Sequence, residues 1–354
     1  CPVPKNRWIQ DRHNLVDIFH DDLGLVAGGG NTKLQPYWST FTVGDCALLK
    51  HTPGDENPSF VPAVDLKWVP ERAALVEAGG GQRLALTYGG LACSVRAEPL
   101  ANGDLKLVYE APAGRGVEAH LPLLNRSRHL ATAGGVKIRL DEDEVLLTGD
   151  RLGAWFDYAG LRVLVPAGAA LRWPARQHDQ YKKDGSAPLR TAKLVLVMPF
   201  TRTSTYAVTL QATPAEVFTG LTFEARDLKV TVSEGSYTKR LDDLGSQFLG
   251  GGKIGQSICF TLPNVKAGTY ELLGEFVMAS VYGIVQVSVD GRPIGQPFDA
   301  YAPDVDREGE RVSFGTLDLS AGDHVVKVEV TGRNDKATNS MISVKRWRLR
   351  EVAR

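Results

Sequence analysis

QRLALTYGGLACSVRAEPLANGDLKLVYE, residues 82–110, decides the fold class. Gln82–Tyr88 alternates apolar and polar side chains and ends on Gly89-Gly90. Leu91–Ala97 resumes the run, and Ala101-Asn-Gly-Asp104 turns the chain into Leu105–Glu110. A period of two places alternate side chains on opposite faces of a pleated strand. Asn-Gly between two such runs supplies the positive φ angles of a tight hairpin. Successive strands with short turns between them predict antiparallel β-structure.

The same signal recurs along the chain. Val136–Leu140, the acidic turn Asp141–Glu144 and Val145–Thr148 read as another hairpin. Leu161–Val165 and Lys193–Met198 are apolar runs suited to buried strands, and Tyr206–Gln211 closes the set. Thr213–Phe218 reads as a single helical turn, with Thr213 as N-cap and Pro214 at the first position. The pattern breaks near Thr219–Arg226 and then restarts. Gly268–Phe276 alternates, and Gly283–Val289 alternates into the hairpin turn Asp290-Gly291. Thr316–Leu319, the turn Ser320–Asp323 and His324–Val330 read as a further pair; Ser340–Val344 and Trp347–Leu349 finish the unit. The expected architecture is all-β: a linker over 1–14, a large antiparallel β-sandwich over 15–225, and a β jelly-roll domain over 226–354.

Composition excludes several classes. The chain has 354 residues and a formal net charge of zero, which argues against a polyanion-coating protein, and basic residues are not clustered with aromatics in a nucleic-acid pattern. No run of about 18 apolar residues marks a membrane span. The four cysteines, Cys1, Cys46, Cys93 and Cys259, show no CxxC and no metal-ligand spacing. Cys46 and Cys93 read as small buried hydrophobes, with a pairing between them left open. The opening CPVPKNRWIQDRHN reads as a linker, and the chain as a fragment of a longer protein.

The richest local stretch is FHDDLGLVAGGGNTKLQPYWSTFTVGD, Phe19–Asp45. Gly28-Gly-Gly30 lets the backbone turn sharply or approach a ligand, and it lacks the P-loop and GxGxxG spacings of nucleotide sites. Two readings stand side by side. In one, the glycines make a sheet corner, and Tyr37 and Trp38 are core. In the other, His20, Asn31, Lys33, Gln35 and Trp38 line a groove for a sugar, with an aromatic face for the ring and polar groups for its hydroxyls. His20-Asp21-Asp22 reads as a solvated turn.

In the second unit, Tyr282, Asp299, Tyr301 and Asn334 are the candidate sugar contacts, on segments expected to be loops or strand ends. Tyrosine can stack on a pyranose while its hydroxyl hydrogen-bonds. Asp304, Asp306, Glu308 and Glu310 alternate, which on a strand crowds four carboxylates onto one face. Calcium, a ligand of roughly six to eight oxygens, suits such a set as a structural ion, although the spacing departs from the EF-hand; a solvated charged loop is the competing reading. No cofactor is otherwise indicated, and no catalytic motif names a reaction.

Several motifs carry a resemblance. Ala267-Gly-Thr-Tyr270, Val287-Ser-Val-Asp-Gly291, Leu317-Asp-Leu-Ser-Ala-Gly-Asp-His324, Val328-Glu-Val-Thr-Gly332 and Ile342-Ser-Val-Lys-Arg-Trp347 resemble the jelly-roll carbohydrate-binding modules appended to carbohydrate-active enzymes. Gly24–Asp45 and His120-Leu-Pro-Leu-Leu124 resemble the large β-sandwich that follows the helical toroid in heparinase II/III-like polysaccharide lyases. The resemblance implies the C-terminal, non-toroid portion of a secreted or cell-surface polysaccharide-active protein, lyase- or hydrolase-like, with most catalytic residues upstream. Periplasmic placement is the secondary alternative. A polysaccharide or oligosaccharide is the implied partner. The alternative is a non-catalytic glycan-binding or adhesion module, and a third reading is a self-contained hydrolase using Asp21 and Asp45.

Overall fold

A computed structural model describes residues 14–15, 17–28, 35–46, 65–78, 81–176, 182, 185–213 and 218–352. The chain is all-β and divides into two compact units, Cys1–Ala215 and Glu216–Arg354. The division falls before Leu221–Glu224, which pairs antiparallel with Ile342–Glu351 and so belongs to the second unit. The sequence break expected at 225/226 falls in the 3-10 turn Ala225–Asp227, just after that strand. Pro214–Val217, most of the expected helical turn, lies outside the described residues.

The first unit is two antiparallel sheets around one core. One sheet runs Asp17–His20, Gly24–Gly28, Val117–Leu124, Lys193–Pro199, Ala170–Ala175, Val145–Thr148, with Phe41–Val43 also beside Val117–Leu124. The other runs Lys137–Arg139, His129–Thr132, Trp155–Tyr158, Leu161–Leu164, Thr205–Ala212, Leu105–Glu110, Leu91–Pro99, Gly81–Tyr88, Arg72–Ala78. Val117, Ala119, Leu121 and Leu123 project inward from the first sheet and share one core with Leu107, Tyr109, Val208 and Leu210 from the second. The turn at Asn102-Gly103 is the hairpin expected from its sequence: Gly103 has φ +86°, and Leu100 N–H donates to Asp104 O at 2.8 Å.

The second hairpin expected from sequence is not one. Lys137–Arg139 pairs with His129–Thr132, whereas Val145–Thr148 pairs with Ala170–Ala175 in the other sheet. Asp141–Glu144 therefore carries the chain from sheet to sheet. Trp173 Nε1–H donates to Asp141 O at 2.7 Å, and Arg128 Nη1 donates to Leu140 O at 3.2 Å and to Asp141 Oδ1 at 3.3 Å. These contacts hold the crossing in place.

The second unit stacks a six-stranded sheet on a five-stranded one. The first contains Leu221–Glu224, Tyr237–Leu241, Ser246–Gly250, Gly268–Met278, Asp306–Leu319 and Ile342–Glu351. The second contains Lys229–Val232, Ser257–Val265, Ile284–Val289, Arg292–Asp299 and Gly322–Gly332. Trp347, fully buried, packs edge-on to Phe260 and Phe276 at ring centroid distances of 5.9 and 5.8 Å. Asp290-Gly291 closes a hairpin with both residues at positive φ, as its sequence predicts. Ser320–Asp323 does not: Asp306–Leu319 and Gly322–Gly332 lie in different sheets. The final two expected strands are one, Ile342–Glu351.

Candidate functional site

The jelly roll gathers its sequence-predicted polar residues at one end. Asp299 ends the strand Arg292–Asp299, Tyr301 follows it, and Asn334 lies just past Gly322–Gly332. Asn334 Nδ2–H donates to Asp299 Oδ2 at 2.5 Å, and Tyr301 N–H donates to Asp299 Oδ1 at 3.0 Å. Lys336 N–H donates to Asn334 Oδ1 at 3.0 Å. All three side chains are half-buried. Asp299 thus uses both oxygens to clamp two loops together.

The backbone reinforces the clamp. Ala279 N–H donates to Ala300 O, Ala302 N–H to Ala279 O, Gly283 N–H to Met341 O, and Thr338 N–H to Ser280 O, at 2.8–3.2 Å. Small residues allow this approach: Ala279, Ala300 and Ala302 are buried together. Tyr282, expected at a loop surface, lies beneath them with 4% exposure, and burial raises its hydroxyl pKa. Its phenol faces Phe248 at 6.4 Å rather than solvent. The site that remains is Asp299, Tyr301 and Asn334, joined through the two Asp299 carboxylate oxygens, the Asn334 amide and the Tyr301 backbone N–H.

The acidic run beside it is described only in part. Asp304, Asp306 and Glu310 form no three-ligand group among the described residues, and the Glu308 side chain lies outside them. Alternation fails because Gly309, at φ +75°, makes a bulge: Phe276 is opposite Glu310 but Met278 is opposite Asp306. Asp306 Oδ1 accepts from Gly309 N–H at 3.3 Å.

In the first unit, the residues expected to line a groove serve local structure. His20 Nδ1 accepts from Asp22 and Leu23 N–H at 3.2 and 3.3 Å, closing a turn. Gln35 caps the 3-10 turn Pro36–Trp38 by accepting from Tyr37 N–H, and its amide donates to Arg176 O. Trp38 is 5% exposed; its indole N–H donates to Ala175 O at 3.2 Å, and Lys193 Nζ sits 3.8 Å above its ring. One ring face is thereby covered, which matches the core reading of Trp38. Asn31 and Lys33 lie outside the described residues.

Two features in this unit escaped the sequence reading. Lys193 is buried, donates to Gly28 O, and burial pushes its ammonium pKa down to about 8. Cys46, Glu118 and His120 converge, with one ligand atom of each within 4.8 Å of the others. Cys46 is not disulfide-bonded, nor are Cys93 and Cys259. Burial, with nearby carboxylates and despite a Thr42 hydrogen bond, pushes the Cys46 thiol up to about 12, so the metal-free thiol is no nucleophile.

No protein-family model and no curated protein matches the chain. Among solved structures, a Paenibacillus xanthan lyase is similar over 80% of this chain and 26% of that one, at 12% identity and TM-score 0.34. The chain therefore spans about a quarter of that lyase's length. A family 35 carbohydrate binding module from Clostridium thermocellum is similar over 38% of this chain and 99% of that one, at 13% identity and TM-score 0.29. An exo-β-1,3-galactanase from Phanerochaete chrysosporium is similar over 79% of this chain and 81% of that one, at 14% identity and TM-score 0.28.

Proposed function

We propose that this chain is the β portion of a secreted or cell-surface polysaccharide-active protein, lyase- or hydrolase-like, whose jelly roll binds and positions glycan through Asp299, Tyr301 and Asn334. The observation that carries this reading is convergence. Two residues singled out from sequence as sugar contacts, on two separate loops, meet through the Asp299–Asn334 hydrogen bond, and the backbone N–H of a third, Tyr301, joins them at Asp299. A sugar hydroxyl pair suits that chemistry: carboxylate oxygens accept, the amide donates, and a tyrosine ring offers an apolar face with a polar tip. The motif resemblance of Ala267–Trp347 to carbohydrate-binding modules supports the same reading.

The test is a binding titration of the chain against oligosaccharides from neutral and acidic polysaccharides. Tyr301→Ala and Asn334→Ala should each weaken the best ligand by about 1–3 kcal/mol while the fold is kept. Wild-type affinity in both folded variants removes the site, and no binding across the panel removes the reading.

A further inference from the structure

We propose that Cys46, Glu118 and His120 form a zinc site on the outer face of the first sheet, independent of the glycan-binding reading. The strand Val117–Leu124 makes the geometry. Val117, Ala119 and Leu121 point into the sandwich core, so Glu118 and His120 share the opposite face. Thr42 is opposite Glu118 in the neighbouring strand Phe41–Val43, and the chain then turns at Gly44 to bring Cys46 back over that face. Gly44 has φ +103°, and a Cβ there would stand 2.3 Å from the Asp65 carbonyl oxygen, so this turn requires glycine.

His120 supplies the second observation. It is 1% exposed, and its Nε2 has no hydrogen-bond partner. Its Nδ1 lies 3.1 Å from Ser39 O, so the Nδ1–H donates there and Nε2 keeps its lone pair. That is the arrangement of a metal-bound imidazole, whose other ring nitrogen donates to a backbone carbonyl. Ser39 is itself held by its hydroxyl to Trp68 O, and Tyr37 packs edge-on to the imidazole at 5.4 Å. The ring is thus fixed from behind and from the side. Nε2 is 3.6 Å from Glu118 Oε2, too long for a hydrogen bond.

The donor set selects the ion. One sulfur, one imidazole nitrogen and one carboxylate oxygen suit zinc, whose Zn–S and Zn–N distances of about 2.3 and 2.0 Å set ligand atoms roughly 3.3–3.8 Å apart. The ligand atoms lie within 4.8 Å of one another, so binding would draw the Cys46 and Glu118 side chains in toward the fixed imidazole. Hard cations such as calcium or magnesium do not suit a thiol and an imidazole. The Glu118 side chain is 30% exposed and gives the ion its way in from solvent. Three protein ligands leave a fourth position for water.

The experiment titrates the metal-free chain with zinc and records metal content, thermal midpoint and the X-ray absorption of the bound ion. The expected result is one tightly held zinc, a raised midpoint, and a shell with one sulfur plus nitrogen and oxygen scatterers. Cys46→Ser and His120→Gln should each weaken zinc by about 100-fold or more, since even indirect partners of a ligand are worth about 10–100-fold. Cys1→Ser and Cys259→Ser should leave binding unchanged. A bound ion with no sulfur in its shell, equal binding by folded Cys46→Ser and His120→Gln, or no zinc uptake overturns the proposal. The absorption spectrum of the wild type decides even if a variant fails to fold.

Discussion

His324 Nδ1 lies 2.6 Å from Asp290 Oδ2, tying the strand Gly322–Gly332 to the hairpin turn at Asp290-Gly291. The other ring nitrogen, Nε2, is 2.9 Å from Ser320 O, so both nitrogens face acceptors and the protonated ring satisfies both. Asp290 Oδ1 also accepts from Val325 N–H at 2.8 Å. Burial alone would lower the His324 pKa, but the Asp290 and Ser320 hydrogen bonds outweigh it and the value is raised. Burial likewise opposes the Asp290 shift, and the His324 and Val325 hydrogen bonds hold that carboxyl below its ordinary value.

The sign of the pH dependence follows. The His324 contribution is complete below its unfolded value of about 6.5 and is lost as pH rises through the raised folded value. The Asp290 contribution is present above about 3.9 and is lost as pH falls through the depressed one. Between those limits the pair is at full strength. His324→Gln should cost about 1–2 kcal/mol near pH 6, toward the low end for a charged hydrogen bond because Asp290 is half exposed. Denaturant melts across pH 5–9 (roughly the range these values bracket) should show the loss shrinking as pH rises. A pH-independent loss would refute the assignment.

Glu275 is the hub of a charge ladder on the six-stranded sheet. Its carboxylate, 12% exposed, lies 3.0 Å from Arg311 Nε and 3.1 Å from both Arg346 Nε and Arg348 Nε. Glu275→Ala leaves three guanidinium groups crowded without it and should cost about 3 kcal/mol. Glu275→Gln keeps an acceptor and should cost less. Equal losses in the two variants, read from chemical denaturation, would assign the effect to packing rather than charge.

Trp38→Ala should destabilise the first unit by about 3–5 kcal/mol, the cost of emptying a buried indole site. It also uncovers Lys193, whose ammonium should regain water and titrate higher than about 8. Thermal denaturation reads the first effect, and amine titration by NMR reads the second.

Two glycines in the second unit separate packing from backbone effects. At Gly274 an added Cβ would lie 2.7 Å from Trp347, 2.8 Å from Phe276 and 3.0 Å from Phe314, all aromatic and buried. Gly274→Ala should cost about 1–3 kcal/mol by overpacking. At Gly332 the nearest atom would be Ile284 Cβ at 3.5 Å, an ordinary contact. Gly332→Ala should be neutral or stabilising by up to about 1 kcal/mol, because alanine lowers unfolded-chain entropy. The contrast fails if both melt alike.

The strands were legible because their period is local, and so were the turns at Asn102-Gly103 and Asp290-Gly291, where residue type alone supplies positive φ. The turns at Asp141–Glu144 and Ser320–Asp323 carry the same local signal, yet they cross between sheets. What decides the crossing is remote: Trp173 reaches back to Asp141 O. Asp299, Tyr301 and Asn334 could be picked out as polar residues at strand ends. Tyr282 could not be separated from them, because its burial depends on alanines that arrive from another loop. Glu118 and His120 sit two apart on one strand, but nothing local ties Cys46 to them; only the pairing of Phe41–Val43 with Val117–Leu124 brings the three together.

The hydrogen bonds among the three loops at the jelly-roll end have a thermodynamic consequence. Loop backbones tied to one another have already given up their freedom at folding, so a ligand arriving there orders little more. Amide protons of Ala279, Gly283, Ala302, Thr338 and Met341, all donors to neighbouring loops, should exchange with solvent at rates closer to strand than to loop. Their protection should change little when a ligand binds, making the rim a preset surface whose affinity is governed by side-chain chemistry.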